Sequence, residues 1–92
     1  LIRNGVTIYP RDIEESILEM PEADDVAALI IDGDVVVFIR PLPDAAVSES
    51  NIADFCLRRL PVTHQPNRIQ FLSAIPRDPK GRLVKTDLLK TK

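Results

Sequence analysis

The chain has 92 residues, of which 28% are charged, and its formal net charge is −2. A chain of this length forms one domain with a modest core, and it contains no apolar run near the roughly 20 residues that a membrane span requires. The single cysteine, Cys56, excludes a disulfide within the chain and a cysteine-based zinc cluster, and we expect it to be buried. We therefore expect one cytoplasmic domain, cut from a longer protein.

The charges are unevenly distributed along the chain. Residues 1–50 carry three Arg or Lys against eleven Asp or Glu, a net −8, whereas residues 51–92 carry nine against three, a net +6. The basic half predicts a ligand or partner of negative charge. The alternative is that the two halves attract each other within one small fold.

The first half of the chain predicts a helix followed by a hairpin. Residues 6–9 are expected to be extended, and residues 10–20 predict a helix that begins at Pro10 and is terminated by Pro21. Two β-rich runs, 26–31 and 35–40, flank an Asp-Gly pair, which is typical of a tight antiparallel hairpin.

The second half predicts a helix, a strand and a last short helix. Ser48 or Ser50 can cap the helix, which ends before Pro61, while residues 68–72 alternate as a strand and Thr86 caps a final turn. The predicted fold class is α+β: a small, mainly antiparallel three-stranded sheet, with about three helices packed on one side of it.

The segment from Ile75 to Leu89 carries the most informative pattern. Pro76 fixes its own φ and Gly81 tolerates a positive φ, so both residues are expected to shape a loop after the last strand. We expect the loop to be anchored by apolar residues and to present its charge outward, toward an anion. Its cations, with one just beyond it, are Arg77, Lys80, Arg82, Lys85 and Lys90.

Three segments resemble the C-terminal domain of adenylate-forming enzymes, which include acyl- and aryl-CoA synthetases, peptide-synthetase adenylation domains and luciferases. Residues 76–85 read Pro-Arg-x-x-x-Gly-Arg-Leu-x-Lys, similar to the family's Pro-Arg-Thr-x-x-Gly-Lys-Ile-x-Arg. Residues 2–18 resemble the segment after the family's interdomain hinge, and residues 60–77 its Leu-x-x-Tyr-Lys-x-Pro-x-x-Ile-x-Phe pattern. The Ile8–Glu15 run is most similar to CoA synthetases.

The resemblance implies a two-step ligase, in which a carboxylate attacks ATP to give an acyl adenylate and a thiol then displaces AMP. A large N-terminal AMP-binding domain, absent from this chain, would hold ATP, Mg²⁺ and the acid. Residues 1–92 would form a single mobile lid that rotates between the two half-reactions. This domain alone would be inactive.

The resemblance also implies which residues act in each step. Arg82 stands where the family has a lysine that enters the active site during adenylation, with Lys80 and Lys85 nearby; arginine is charged but planar and bulkier, so it is a poor substitute for lysine at a tight site. Gly5 matches a glycine that lines the pantetheine tunnel for coenzyme A or a carrier protein, beside Arg3 and Asn4. Read alone, Asn-Gly predicts only a turn.

Other functions stay open. A non-catalytic interaction module, or the carrier-docking domain of a peptide-synthetase-type enzyme, would use the basic half against an acidic partner. Nucleic-acid binding is disfavoured because three of the four aromatic residues are phenylalanines that are expected to be buried. His64 is expected to be a solvated loop residue, and Glu22, Asp24 and Asp25 a solvated turn, so no metal site is predicted.

Overall fold

We describe residues 2–3 and 5–89 of a computed structural model of the chain. Two short strands open it and pair as an antiparallel hairpin across Gly5. The elements that follow form a three-stranded sheet, α-helices and one 3₁₀ turn. In chain order the elements are β1 (Ile2–Arg3), β2 (Val6–Thr7), α1 (Pro10–Ile17), β3 (Ala23–Ile31), β4 (Asp34–Pro41), α2 (Glu49–Arg59), a 3₁₀ turn (Val62–His64), β5 (Arg68–Phe71) and α3 (Lys85–Leu89).

The sheet has the order β3-β4-β5 and is mixed. Its long β3–β4 hairpin is antiparallel, and its two-residue turn uses Asp32 at φ 51° and Gly33 at φ 83°. Two successive positive φ values are those of a type I′ turn, whose twist matches that of the strands. The short β5 pairs with β4 in parallel, after a crossover through α2. The α+β fold with a mainly antiparallel sheet is confirmed.

Helix α1 begins as predicted but ends earlier. Pro10 occupies its first turn, and Ile13 and Ile17 are fully buried. After Ile17 the backbone tightens, because Met20 N–H donates to the Ile17 carbonyl at 2.9 Å. The prediction of a helix through Met20 was therefore too long. A proline at position 21 disfavours helical backbone in the residue before it.

The sheet is covered on both faces. On one face α1 and α2 pack through Ile13, Ile17, Ile52 and Cys56 in a single core cluster with alternate residues of β3 and β4. Each side chain of this kind contributes about 1.5–3 kcal/mol on burial. This face contains most of the hydrophobic core.

The other face is covered by the segment after β5. Ile75, which follows β5, and Leu88, in α3, lie in a second core cluster with Leu29, Val36 and Phe38. The prediction that all helices pack on one side was therefore wrong. Strands with continuous apolar runs, as in β3 and β4, are buried on both faces and need cover on both.

Helix α2 is fixed at both ends by side chains. Ser48 is its N-cap and forms a reciprocal capping box with Asn51. At its C-terminal end the Gln65 amide donates to the carbonyls of Cys56 and Leu60, at 2.8 Å each. Cys56 is buried, as predicted, and desolvation raises the pKa of its thiol to about 11. None of the described helices is both long and apolar enough to span a membrane.

Candidate functional site

The cation-rich loop runs from Pro76 to Val84 and is closed on itself by backbone hydrogen bonds. Val84 N–H donates to the Pro76 carbonyl at 3.0 Å, and Arg77 and Leu83 form an isolated antiparallel bridge. Leu83 is half-buried and packs against the second core cluster. The loop is therefore a small hairpin-like projection whose two ends are held together and anchored on the sheet.

Asp78 organises the tip of this loop. Its Oδ1 accepts hydrogen bonds from the backbone N–H groups of Lys80, at 2.9 Å, and Arg82, at 2.8 Å. Its carbonyl accepts from Gly81 N–H at 2.8 Å, and Gly81 has φ 84°, a value that glycine adopts without steric cost. The turn is thus specified by one aspartate and one glycine.

Arg77 holds the base of the loop to the sheet. Its guanidinium binds the Asp25 carboxylate in a bidentate manner, with Nε to Oδ2 at 2.9 Å and Nη2 to Oδ1 at 2.8 Å. Nη1 also donates to the Gly81 carbonyl at 3.2 Å. The hydrogen bond from Arg77 is the main reason that the pKa of Asp25 is lowered. The prediction that this cation points outward was therefore wrong: Arg77 is a structural residue.

The acidic group at the start of β3 is also structural. The sequence predicted a solvated turn here, but Asp24 and Asp25 lie on the strand. Asp24 forms an ion pair with Arg40 at 3.1 Å. Asp25 joins the acidic half of the chain to the basic half, as does Glu19 through its ion pair with Arg59 at 3.5 Å. In the described residues no cluster of three or more Asp, Glu, His or Cys could hold a metal.

Arg82 lies at the tip, and its side chain is 74% exposed. Its Nε donates to Asp78 Oδ2 at 3.0 Å, whereas Nη1 and Nη2 have no hydrogen-bond partner among the described residues. Lys80 is exposed on the same tip. Lys85 is the first residue of α3, directly after the loop, and its side chain is not described. The loop therefore offers the forked end of a guanidinium and a nearby ammonium to an anion.

Gly5 lies at the turn of the N-terminal hairpin. It is exposed and has φ 80°, and a Cβ built on it would meet nothing within 4 Å. Arg3 belongs to β1, and its side chain is not described, while Asn4 lies outside the described residues. The sequence predicted a turn here and an extended segment at residues 6–9, which includes β2, but it did not predict β1 or its pairing with β2.

His64 is half-buried in the 3₁₀ turn and not a fully solvated loop residue, and its Nδ1 lies 3.0 Å from Thr63 Oγ1. Asp78 was not singled out from the sequence, and Asp25 was expected only to belong to a solvated turn. For Asp78 a signal existed, because Asp two residues before a Lys-Gly pair is typical of a turn in which the carboxylate binds nearby backbone N–H groups. The distant pairing of Asp25 left no such local signal.

Comparison with known proteins identifies the relatives of this fold. The chain matches no family model. It is 33% identical over 92 residues to the long-chain-fatty-acid–CoA ligase FadD13 of Mycobacterium tuberculosis, and the alignment covers 96% of this chain but 18% of that protein. A solved fatty acyl CoA synthetase of M. tuberculosis superposes with a TM-score of 0.79 at 31% identity, covering 96% of this chain and 18% of that one.

The fold is also that of MatB from Rhodopseudomonas palustris, whose apo form superposes with a TM-score of 0.88 at 24% identity, covering 99% of this chain and 19% of MatB. Its ATP-bound form gives 0.83 at 23% identity, covering 99% of this chain and 19% of MatB. The homologues and structural neighbours of this chain are therefore acyl- and aryl-CoA synthetases of the adenylate-forming superfamily, as the sequence patterns indicated. The chain spans less than a fifth of the length of the curated relatives it matches.

Proposed function

We propose that this chain is the small C-terminal lid domain of an ATP-dependent acid–thiol ligase of the acyl-CoA synthetase type. The observation that carries the proposal is the position of Arg82. It lies at the tip of a self-closed loop, with its terminal nitrogens directed at no partner among the described residues, where the related pattern has the adenylation lysine. The remaining part of the enzyme would be a large N-terminal domain that holds ATP and the acid.

In the first half-reaction the loop would present Arg82 to the phosphate that gains charge as the carboxylate attacks. A guanidinium can bind a phosphate through two parallel N–H groups, and both terminal nitrogens of Arg82 are available for this. A preorganised donor at such a position supplies roughly 3–4 kcal/mol of transition-state stabilisation. Lys80 and Lys85 would add to the local positive potential.

In the second half-reaction the N-terminal hairpin would line the path of the thiol. Gly5 has no side chain at an exposed turn, so a thin pantetheine arm could pass close to the backbone. Arg3 and Asn4, which precede Gly5 in the sequence, would belong to the same tunnel segment. The thiol would belong to coenzyme A, in keeping with the CoA ligases that this chain resembles.

The cofactors of the whole enzyme follow from the same proposal. Mg²⁺ would neutralise phosphate charge, and the large domain would hold it together with ATP, while the lid supplies Arg82. We propose a cytoplasmic location, where ATP and coenzyme A are both available. The lid by itself would not turn over substrate.

The test is to measure the two half-reactions separately in the full-length enzyme. Arg82→Ala should lower acid-dependent ATP–pyrophosphate exchange roughly 10²- to 10³-fold. It should leave thioester formation from added acyl adenylate unchanged. Arg11→Ala, which removes an exposed cation of α1, is the matched control and should change neither rate. Equal loss of both half-reactions in Arg82→Ala, or loss of neither, would contradict the proposal.

A second candidate is docking of a carrier protein. Leu57 and Val62 are exposed hydrophobic residues, 68% and 84% accessible, and they lie on either side of the cations Arg58 and Arg59 in sequence. A surface that mixes apolar and basic side chains suits an acidic, partly apolar partner. Titration of an acidic carrier protein against free coenzyme A in the full-length enzyme separates the two acceptors.

A further inference from the structure

We propose that Asp78 is a positioning residue that fixes Arg82 for adenylation, and that the two residues act as a matched pair. This inference rests on the proposed function of the loop. In the related pattern these positions carry threonine and lysine, so this chain departs from the pattern at two positions that contact each other. The contact links the two departures physically.

The two oxygens of Asp78 have different roles. Oδ1 accepts hydrogen bonds from the backbone N–H groups of Lys80 and Arg82 and so stabilises the turn. Oδ2 accepts from Nε of Arg82 at 3.0 Å and so holds the side chain. A threonine hydroxyl can replace the first role, because it has one oxygen with acceptor capacity, but it leaves no second oxygen for Nε.

The chemistry of arginine explains why this chain differs from the related pattern at both position 78 and position 82. Lysine has a single charged group at the end of its side chain, so an ion pair with Asp78 would occupy the ammonium that must reach the substrate. Arginine can be held through Nε while both Nη groups stay free. Within the described residues Nη1 and Nη2 of Arg82 have no partner, which is the state that a phosphate-binding guanidinium requires.

The contact is exposed, so it acts on the orientation of Arg82 more than on the stability of the fold. The Arg82 and Asp78 side chains are 74% and 28% accessible, and water screens their attraction. An exposed ion pair of this kind changes an equilibrium by a factor of about two to five. Holding Nε also removes rotamers that point Arg82 away from the direction set by the turn.

The first experiment uses Asp78→Asn in the full-length enzyme. Asparagine retains one oxygen to accept the two backbone N–H groups but loses the carboxylate that holds Nε. We expect kcat for acid-dependent ATP–pyrophosphate exchange to fall about two- to fivefold. The KM for ATP, the thermal midpoint and thioester formation from added acyl adenylate should stay unchanged.

A matched control is available on α1. Arg11 and Glu15 also form an exposed ion pair four residues apart, with Nε to Oε1 at 3.1 Å. Glu15→Gln breaks that pair with the same chemical change and should leave the exchange rate unchanged. A loss of similar size in Glu15→Gln would overturn the inference, since any broken surface pair would then produce it.

A double-mutant cycle tests whether Asp78 acts through Arg82. In an Arg82→Lys background, Asp78→Asn should cause no further loss of exchange, because the Nε contact is already gone and Asp78 no longer pairs with the lysine ammonium. Asp78→Thr alone should behave like Asp78→Asn, and Asp78→Thr combined with Arg82→Lys should be at least as active as Arg82→Lys alone.

The outcomes separate the inference from the proposed function. If Arg82→Ala leaves exchange unchanged, the proposed function of the loop fails. If Arg82→Ala lowers exchange but Asp78→Asn does not, only the positioning role fails. A loss in Asp78→Asn that persists in the Arg82→Lys background, or that comes with a lower thermal midpoint, would also overturn the positioning role, because it would show a general effect on the turn.

Discussion

The base and the tip of the Pro76–Val84 loop each contain an arginine–aspartate pair, but the two pairs differ in geometry and exposure. At the base, Arg77 binds Asp25 through two nitrogens, and the side chains are 34% and 25% exposed. At the tip, Arg82 binds Asp78 through one nitrogen and is far more exposed. The same residue types therefore serve stability at one end and charge presentation at the other.

The two guanidinium groups differ in how many of their nitrogens already form hydrogen bonds within the protein. Arg77 uses Nε, Nη1 and Nη2 on Asp25, the Gly81 carbonyl and the Val26 carbonyl, so its hydrogen-bonding capacity is directed into the protein. Arg82 commits Nε alone. A motif that reads as a uniform basic loop is thus divided into an anchoring cation and a presenting cation.

The largest expected effect comes from breaking the base. Arg77→Ala should destabilise the chain by about 1–2 kcal/mol, because it removes a bidentate, partly buried ion pair and leaves Asp25 without its main partner. Urea denaturation of the chain measures this. Arg40→Ala, which breaks the more exposed pair with Asp24, is the control and should cost less than about 1 kcal/mol. Equal costs for the two variants would contradict the distinction between base and surface pairs.

The same pair should respond to acid. Arg77 lowers the pKa of Asp25 below its usual value, so the ionised carboxylate is favoured in the folded chain. The stability that this provides is fully present above the usual Asp pKa of about 3.9 and is lost as pH falls through the lowered pKa. Thermal midpoints from pH 6 to pH 2 should therefore fall more in the wild type than in Asp25→Asn. Parallel curves for the two proteins would contradict this.

At the tip, backbone conformation is the next test. Gly81→Ala should cost about 1 kcal/mol, because alanine is strained at φ 84° although the space around the Cβ position is open. Gly33→Ala, at φ 83° in the β3–β4 turn, is a control with the same strain outside the loop. Both should lower the urea midpoint similarly, but only Gly81→Ala should reduce adenylation in the full-length enzyme.

Local features of the fold could be read from the sequence, whereas distant pairings could not. The Asp32-Gly33 turn was predicted, and the helix cap was narrowed to Ser48 or Ser50, because turn and cap preferences depend on a few neighbouring residues. The end of α1 was misplaced by three residues. The prediction of the side of the sheet on which α3 packs was wrong, although the unbroken apolar runs of β3 and β4 indicate burial on two faces.

The candidate site shows the same limit. The local pattern predicted a basic loop with a turn at Gly81, and the family resemblance singled out Arg82 among its cations. The local pattern also grouped Arg77 with the outward cations, because its partner Asp25 lies 52 residues away and nothing local marks the pair. The role of Asp78 depends on backbone N–H groups that converge only once the turn is formed.

The smallest expected effect uses Cys56 as a reporter of the opposite core face. Its thiol is buried in the cluster beneath α1 and α2, and burial raises its pKa to about 11, so a thiol reagent at pH 8 should label it only after opening of the fold. Arg77→Ala removes a contact of the loop, which packs on the other face of the sheet. The labelling rate of Cys56 should therefore increase only by the factor that corresponds to the loss of global stability. Labelling that accelerates far beyond that loss would mean that the base pair supports the α1–α2 face directly, and the division between an anchored base and a presenting tip would then need to include the whole sheet.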